Sequence, residues 1–135
     1  MYSFCAVDAD RNLYKLGLYF IGKGEESKAI ESFQKALLIA QDDVPATIHL
    51  TNLYLTSSSP FIRSAAYGAV DLAVGMLESI TKACGWDVAE AWFLLSKAYR
   101  KQGQRAKERE CLVKALGLAS VKGVRDIRAA VGHCL

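Results

Sequence analysis

Two stretches of this chain repeat one spacing of large and small residues. Leu13, Leu16, Gly17 and Phe20 are followed by Gly24 and then by Ala29, Phe33 and Ala36. Trp92, Leu95, Ser96 and Tyr99 are followed by Gly103, Leu112 and Ala115 at the same offsets. Intervals of three, four and seven put such residues on one face of a helix. A small residue lets two helix backbones close up, and a large one fills the space beside it. A helical hairpin built this way cannot bury its apolar face alone and must stack on neighbours.

The turn signals between these faces predict seven helices. Asp10 is placed to cap a helix running to Gly22, with residues 1–8 ambiguous between a frayed end and the tail of an earlier helix. Glu25 to Ala40 forms the second, with Ile30, Phe33, Leu37 and Ala40 on one side. Asp43 is an N-cap for the third, with Pro45 in its first turn, where a missing N–H costs little. Ser59 caps a fourth that starts at Pro60 and runs to about Cys84. Gly68 and Gly75 weaken it by about 1 kcal/mol each, so it bends or breaks near one of them. Asp87 to Glu90 has capping-box spacing and opens a helix to Lys101. Arg105 to Ser120 follows, then a short one after Gly123, with Val124, Ile127, Val131 and Leu135 on one side.

The spacing resembles the tetratricopeptide repeat, whose consensus is W-x2-L-G-x2-Y, a glycine turn, then A-x3-F-x2-A. It implies an all-α fold of antiparallel helical hairpins, stacked as a short solenoid. The repeats fall at about 10–43, 45–84 and 87–120, with a capping helix at 123–135, in a single helical domain. The first repeat matches best. The second keeps Ile48 and Leu55 but has Thr51 and Asn52 where leucine and glycine belong. Its interval from Asn52 to Ala73 is nine residues longer than the consensus. The third has Glu108 where a small residue belongs, which requires a rotated helix or a more open contact.

In this family the first helix of each repeat lines a concave groove that holds another protein. By resemblance the candidate binding residues are Tyr14, Leu18, His49, Leu53, Phe93, Lys97 and Arg100. Other inward places include Ile21, Leu50, Leu94 and Lys101. One subgroup holds the acidic tails of chaperones with a clamp of lysine, asparagine and arginine. The matching places here carry Tyr14, Leu18, Leu50, Glu90 and Leu94, so that clamp is absent. The groove is instead apolar in its first two repeats, and Leu16 to Ile21 is apolar nearly all round apart from Gly17. Two readings of that surface stand side by side: it takes a partner helix, or further solenoid packs on it, including by self-association.

Positive charge gathers late, with ten lysines and arginines between Lys97 and Arg128 against Glu108, Glu110 and Asp126. The simpler reading is a solvated face with local pairs, such as Arg105 with Glu108 and Glu110 with Lys114. The functional one is contact with an acidic partner or an anionic membrane surface. Net charge is only +3. No nucleic-acid motif accompanies it, so nucleic acid is not an expected partner.

An apolar fraction of 52% supplies a core. No stretch approaches the roughly 18 apolar residues of a membrane span. The first residues lack the basic start and apolar run of a signal peptide, which predicts a cytoplasmic chain. Cys5, Cys84, Cys111 and Cys134 show no CxxC pairing and are expected as buried free thiols. His49 and His133 stand far apart, and no GxSxG, P-loop or HExxH is present. No catalytic residue, metal or cofactor is expected.

A narrower resemblance rests on Gly85-Trp86-Asp87, Glu90-Ala91-Trp92, Lys97-Ala98-Tyr99, Lys107 to Leu112 and Gly123 to Ile127. These are similar to the C-terminal end of a fungal filamentation or cargo-transport family that scaffolds the plasma-membrane phosphatidylinositol 4-kinase. That resemblance implies a peripheral scaffold at the plasma membrane and a longer parent solenoid. The reading is a non-catalytic protein-interaction scaffold. The alternative is a membrane-targeting or regulatory subunit that uses its basic C-terminal region.

Overall fold

The computed structural model describes residues 2–57, 59–64 and 68–122, with side chains for 9–57, 59, 60, 62–64 and 68–119. Among these are six helices, one single-turn helix and no strand. They are α1 (Tyr2–Gly22), α2 (Glu26–Ile39), α3 (Val44–Thr56), the single turn α4 (Pro60–Arg63), α5 (Ala69–Thr81), α6 (Ala89–Gln102) and α7 (Arg105–Lys122). α1 packs on α2, α3 on α5 and α6 on α7, giving three hairpins. The hairpins join through α2–α3, α5–α6 and α3–α6. The expected cap at 123–135 lies outside the described residues.

The first hairpin follows its spacing. Ala29, Phe33 and Ala36 have no exposed surface. A Cβ on Gly17 would stand 2.6 Å from two carbons of the Phe33 ring, so only glycine admits that ring. Gly24 and Gly103 close the outer turns at equivalent places, with φ of +78° and +80°.

α1 begins at Tyr2, so Asp10 is a mid-helix residue rather than a cap. Nothing between Tyr2 and Leu16 is a glycine or proline, so the helix has no cause to start later. Asp43 does cap α3: its carboxylate accepts from Ala46 N at 3.1 Å. α6 departs from its expected capping box. It starts at Ala89 with Val88 at the N-cap and no side-chain cap hydrogen bond.

The expected fourth helix is not continuous: α4 ends at Arg63 and α5 begins after Gly68, which takes the left-handed conformation (φ +67°) at its N-cap. A residue with a Cβ adopts that conformation at a cost. Gly75 stays inside α5 without a break, and the helix ends at Thr81 rather than near Cys84. The longer interval of the second repeat contains the single turn α4. Ser57 Oγ donates to Glu26 Oε2 at 2.7 Å, tying this insertion back to the start of α2.

Thr51 replaces the consensus leucine yet has no exposed surface. Its hydroxyl donates to Thr47 O at 2.7 Å, so the buried polar group is satisfied by its own helix. Gln34 Nε2 donates to Tyr54 OH at 2.8 Å between α2 and α3. Between α5 and α6, Gln102 Nε2 donates to Asp71 Oδ1 at 2.8 Å, and Tyr99 OH donates to Glu78 Oε1. In the third hairpin Cys111 and Ala115 are buried while Glu108 and Leu112 are half-buried. The seam is therefore more open at Glu108 than at Ala29. Of the thiols whose side chains are described, Cys111 is buried, as expected, and burial raises its pKa. Cys84 is exposed, because α5 stops before reaching it; its Sγ lies 3.3 Å from Asp42 O, as donor.

Candidate partner-binding face

The first helices of the three hairpins are α1, α3 and α6. Tyr14 of α1 and His49 of α3 meet with ring centroids 5.5 Å apart. Both touch Phe33 of α2, at 5.9 Å for Tyr14 and at 5.6 Å in a stacked arrangement for His49. Tyr14 and His49 are half-buried, so each gives one side to the core and one to the surface. α6 continues the row through its packing on α3.

The sequence candidates do not contribute equally. Leu18 is 38% exposed and Phe93 44% exposed. Lys97 and Arg100 are exposed. Lys97 Nζ sits 4.6 Å over the Phe93 ring. Leu53 has only 8% of its surface exposed and belongs to the core, so it offers a partner little surface. Ile21, at 38% exposed, adds an apolar position on α1.

Of the candidate residues, Tyr14 alone belongs to a further group set between α1 and the connection from α2 to α3. Asp10, Arg11, Tyr14, Ala40, Asp42, Asp43 and Pro45 line an open cavity of about 430 Å³. Asp10 Oδ1 is buried without a hydrogen-bond partner. Its carboxyl pKa is pushed up to about 6 by burial, then by a hydrogen bond to the Asp43 side chain and by the charges of Asp43 and Asp42; Arg11 opposes the shift. Two carboxyl groups share a hydrogen bond only when one keeps its proton, which is why the fully ionised Oδ1 lacks a donor. The Tyr14 phenol pKa is also raised, first by burial and then by the charges of Asp43 and Glu90. Glu90 stands in the first turn of α6. Asp10 and Asp42 lie a whole hairpin apart in sequence. Repeat geometry returns the end of α2 to the part of α1 where the repeat begins, and that was the available signal.

The late positive charge divides in two. Lys107 lies 5.5 Å over the Tyr99 ring and Lys114 4.4 Å over the Trp92 ring. The expected pairs Arg105–Glu108 and Glu110–Lys114 are not formed; among the described residues the ion pairs are Lys28–Glu25 and Lys35–Glu31. Lys114 turns toward Trp92 because the indole face attracts a cation and shields its stem from water. No group of three or more His, Cys, Asp and Glu among the described residues is arranged to hold a metal ion. No helix there is long and apolar enough to cross a membrane.

A tetratricopeptide-repeat family model matches residues 10–43 and 89–121. The chain carries tetratricopeptide repeats. The matched spans are the α1–α2 and α6–α7 hairpins. The hairpin between these tetratricopeptide repeats, with its insertion, goes unmatched. No curated protein sequence matches the chain. Among solved structures it is similar to SycD, the type III secretion translocator chaperone of Yersinia enterocolitica, in a crystal structure described as an alternative dimer. The TM-score is 0.69 at 20% identity, over 93% of this chain and 88% of that one. At that identity the likeness establishes the tetratricopeptide fold and nothing finer.

Proposed function

We propose that this tetratricopeptide chain is a non-catalytic scaffold that holds a segment of a partner protein on the face formed by α1, α3 and α6. The observation that supports it is that Leu18 and Ile21 on α1 and Phe93 on α6 are exposed, while Tyr14 and His49 on α1 and α3 are half-buried. Apolar side chains grouped on the first helices of a repeat array suit a partner helix or strand. The family's usual role in protein binding points the same way.

The test is a pull-down with the wild-type chain against Leu18→Glu/Phe93→Glu. Both side chains are well exposed, so the variant is expected to keep its fold and lose its partners. Partners retained unchanged by a folded variant defeat the reading. A second reading, a targeting subunit that touches an anionic membrane, draws on exposed Lys97, Arg100 and Lys101 and on the resemblance to the lipid-kinase scaffold. Salt-sensitive co-sedimentation with acidic vesicles separates the two.

A further inference from the structure

The chemistry of the first-helix face changes along its length. Asp10, Asp42 and Asp43 line one cavity, with Arg11 among them, and Glu90 in the first turn of α6 acts by its charge on Tyr14 of the same cavity. Lys97, Arg100 and Lys101 stand at the far end of α6, all exposed. No ion pair among the described residues reaches these three cations. Lys97 adds its charge above exposed Phe93. The places on α1 equivalent to Lys97 and Arg100 are Leu18 and Ile21, apolar and each 38% exposed. One edge of this end is therefore apolar and the other cationic.

We infer that the partner is an acidic amphipathic segment of another protein. Its apolar side chains lie on Leu18, Ile21 and Phe93, and its carboxylates meet Lys97, Arg100 and Lys101. This rests on the protein-binding reading above and gives it a polarity. The acids at the opposite end repel a carboxylate placed there, so the segment lies one way round. Glu90 and Arg100 are separated by about 15 Å of helix. The acidic cluster of the partner is thus confined to one end of the segment. An anionic bilayer is the poorer occupant, because it would meet Asp43 and Glu90 on the face that carries the cations.

The test is a panning of random peptides displayed on phage against the whole chain, as wild type and as Lys97→Glu/Arg100→Glu/Lys101→Glu. Circular dichroism first checks that the variant melts like the wild type, as three exposed substitutions allow. The wild type is expected to select peptides with apolar residues beside a cluster of Asp and Glu at one end. Synthetic copies are expected to bind the triple variant about tenfold more weakly or worse, and to weaken as salt rises from about 0.1 M to about 1 M. Peptides without acidic enrichment, bound equally by the triple variant, overturn the acidic partner and leave the protein-binding reading standing. Selected peptides indifferent to Leu18→Glu/Phe93→Glu overturn both. Co-sedimentation with phosphatidylserine vesicles runs in parallel. Vesicle binding lost in the triple variant, with no acidic peptide selected, overturns the segment in favour of a membrane.

Discussion

The ring of Phe33 occupies the space that a side chain on Gly17 would need. A Cβ there would lie 2.6 Å from the ring carbons Cε1 and Cζ, well inside any ordinary contact. The ring has no exposed surface and is held from its other sides by Tyr14 and His49. It has no free direction in which to retreat. Gly17→Ala is therefore expected to cost about 1–3 kcal/mol through overpacking. Phe33→Leu in the same chain should recover part of that loss, since it clears the contact. Urea denaturation of the two single variants and the double variant measures the coupling; strict additivity would show that the two residues do not meet.

Ala29 and Glu108 occupy the same place in the first and third hairpins and should respond differently to leucine. Ala29 is fully buried, so Ala29→Leu is expected to destabilise by roughly 1–3 kcal/mol. Glu108 is half-buried at a more open seam, so Glu108→Leu should stay within about 0.5 kcal/mol of wild type. Equal losses would mean that the two seams are equally tight.

Asp10 should make stability depend on pH. Its folded pKa of about 6 lies above the ordinary 3.8, so the folded chain holds the proton more tightly than the unfolded chain does. The stability this contributes is complete below about pH 4 and is lost as pH rises through about 6. Asp10→Asn keeps a neutral, hydrogen-bonding side chain beside Asp43 at every pH. The variant is expected to be more stable than wild type by about 1–3 kcal/mol at pH 8 and to show no advantage near pH 4. Thermal melts of both chains across that range check it; a constant difference would remove Asp10 as the cause.

Tyr99 is buried, and its hydroxyl donates to Glu78 Oε1. Burial, that hydrogen bond and the Glu78 charge together hold the phenol pKa well above its usual value. Glu78→Ala leaves a buried hydroxyl without an acceptor and should cost about 1–3 kcal/mol. Tyr99→Phe should cost less, because half-buried Glu78 can turn to water. Equal losses from the two substitutions would contradict this asymmetry.

Local pattern determined the helices and their order. Intervals of three, four and seven among Leu13, Gly17, Phe20, Ala29, Phe33 and Ala36 are set by helix geometry, which is the same wherever the helix packs. Asp43 and Pro45 began α3, and Gly68 set the start of α5, because caps, proline and left-handed backbone act within a few residues. The misplaced boundaries came from propensities that packing and neighbouring turns overrode: Asp10 had a capping side chain but no break beside it, and Asp87 had the spacing of a capping box while α6 began behind Val88. Only the tertiary structure decided what the faces carry. Leu53 and Leu18 hold the same place in their helices, yet one is buried in the middle of the stack and the other is exposed on its first helix. The cavity between Asp10 and Asp43, the raised carboxyl pKa of Asp10 there, and Lys114 resting on Trp92 rather than pairing with Glu110 all join residues from different hairpin helices. Desolvation and charge depend on distance in space, and that distance is created when the hairpins close and stack.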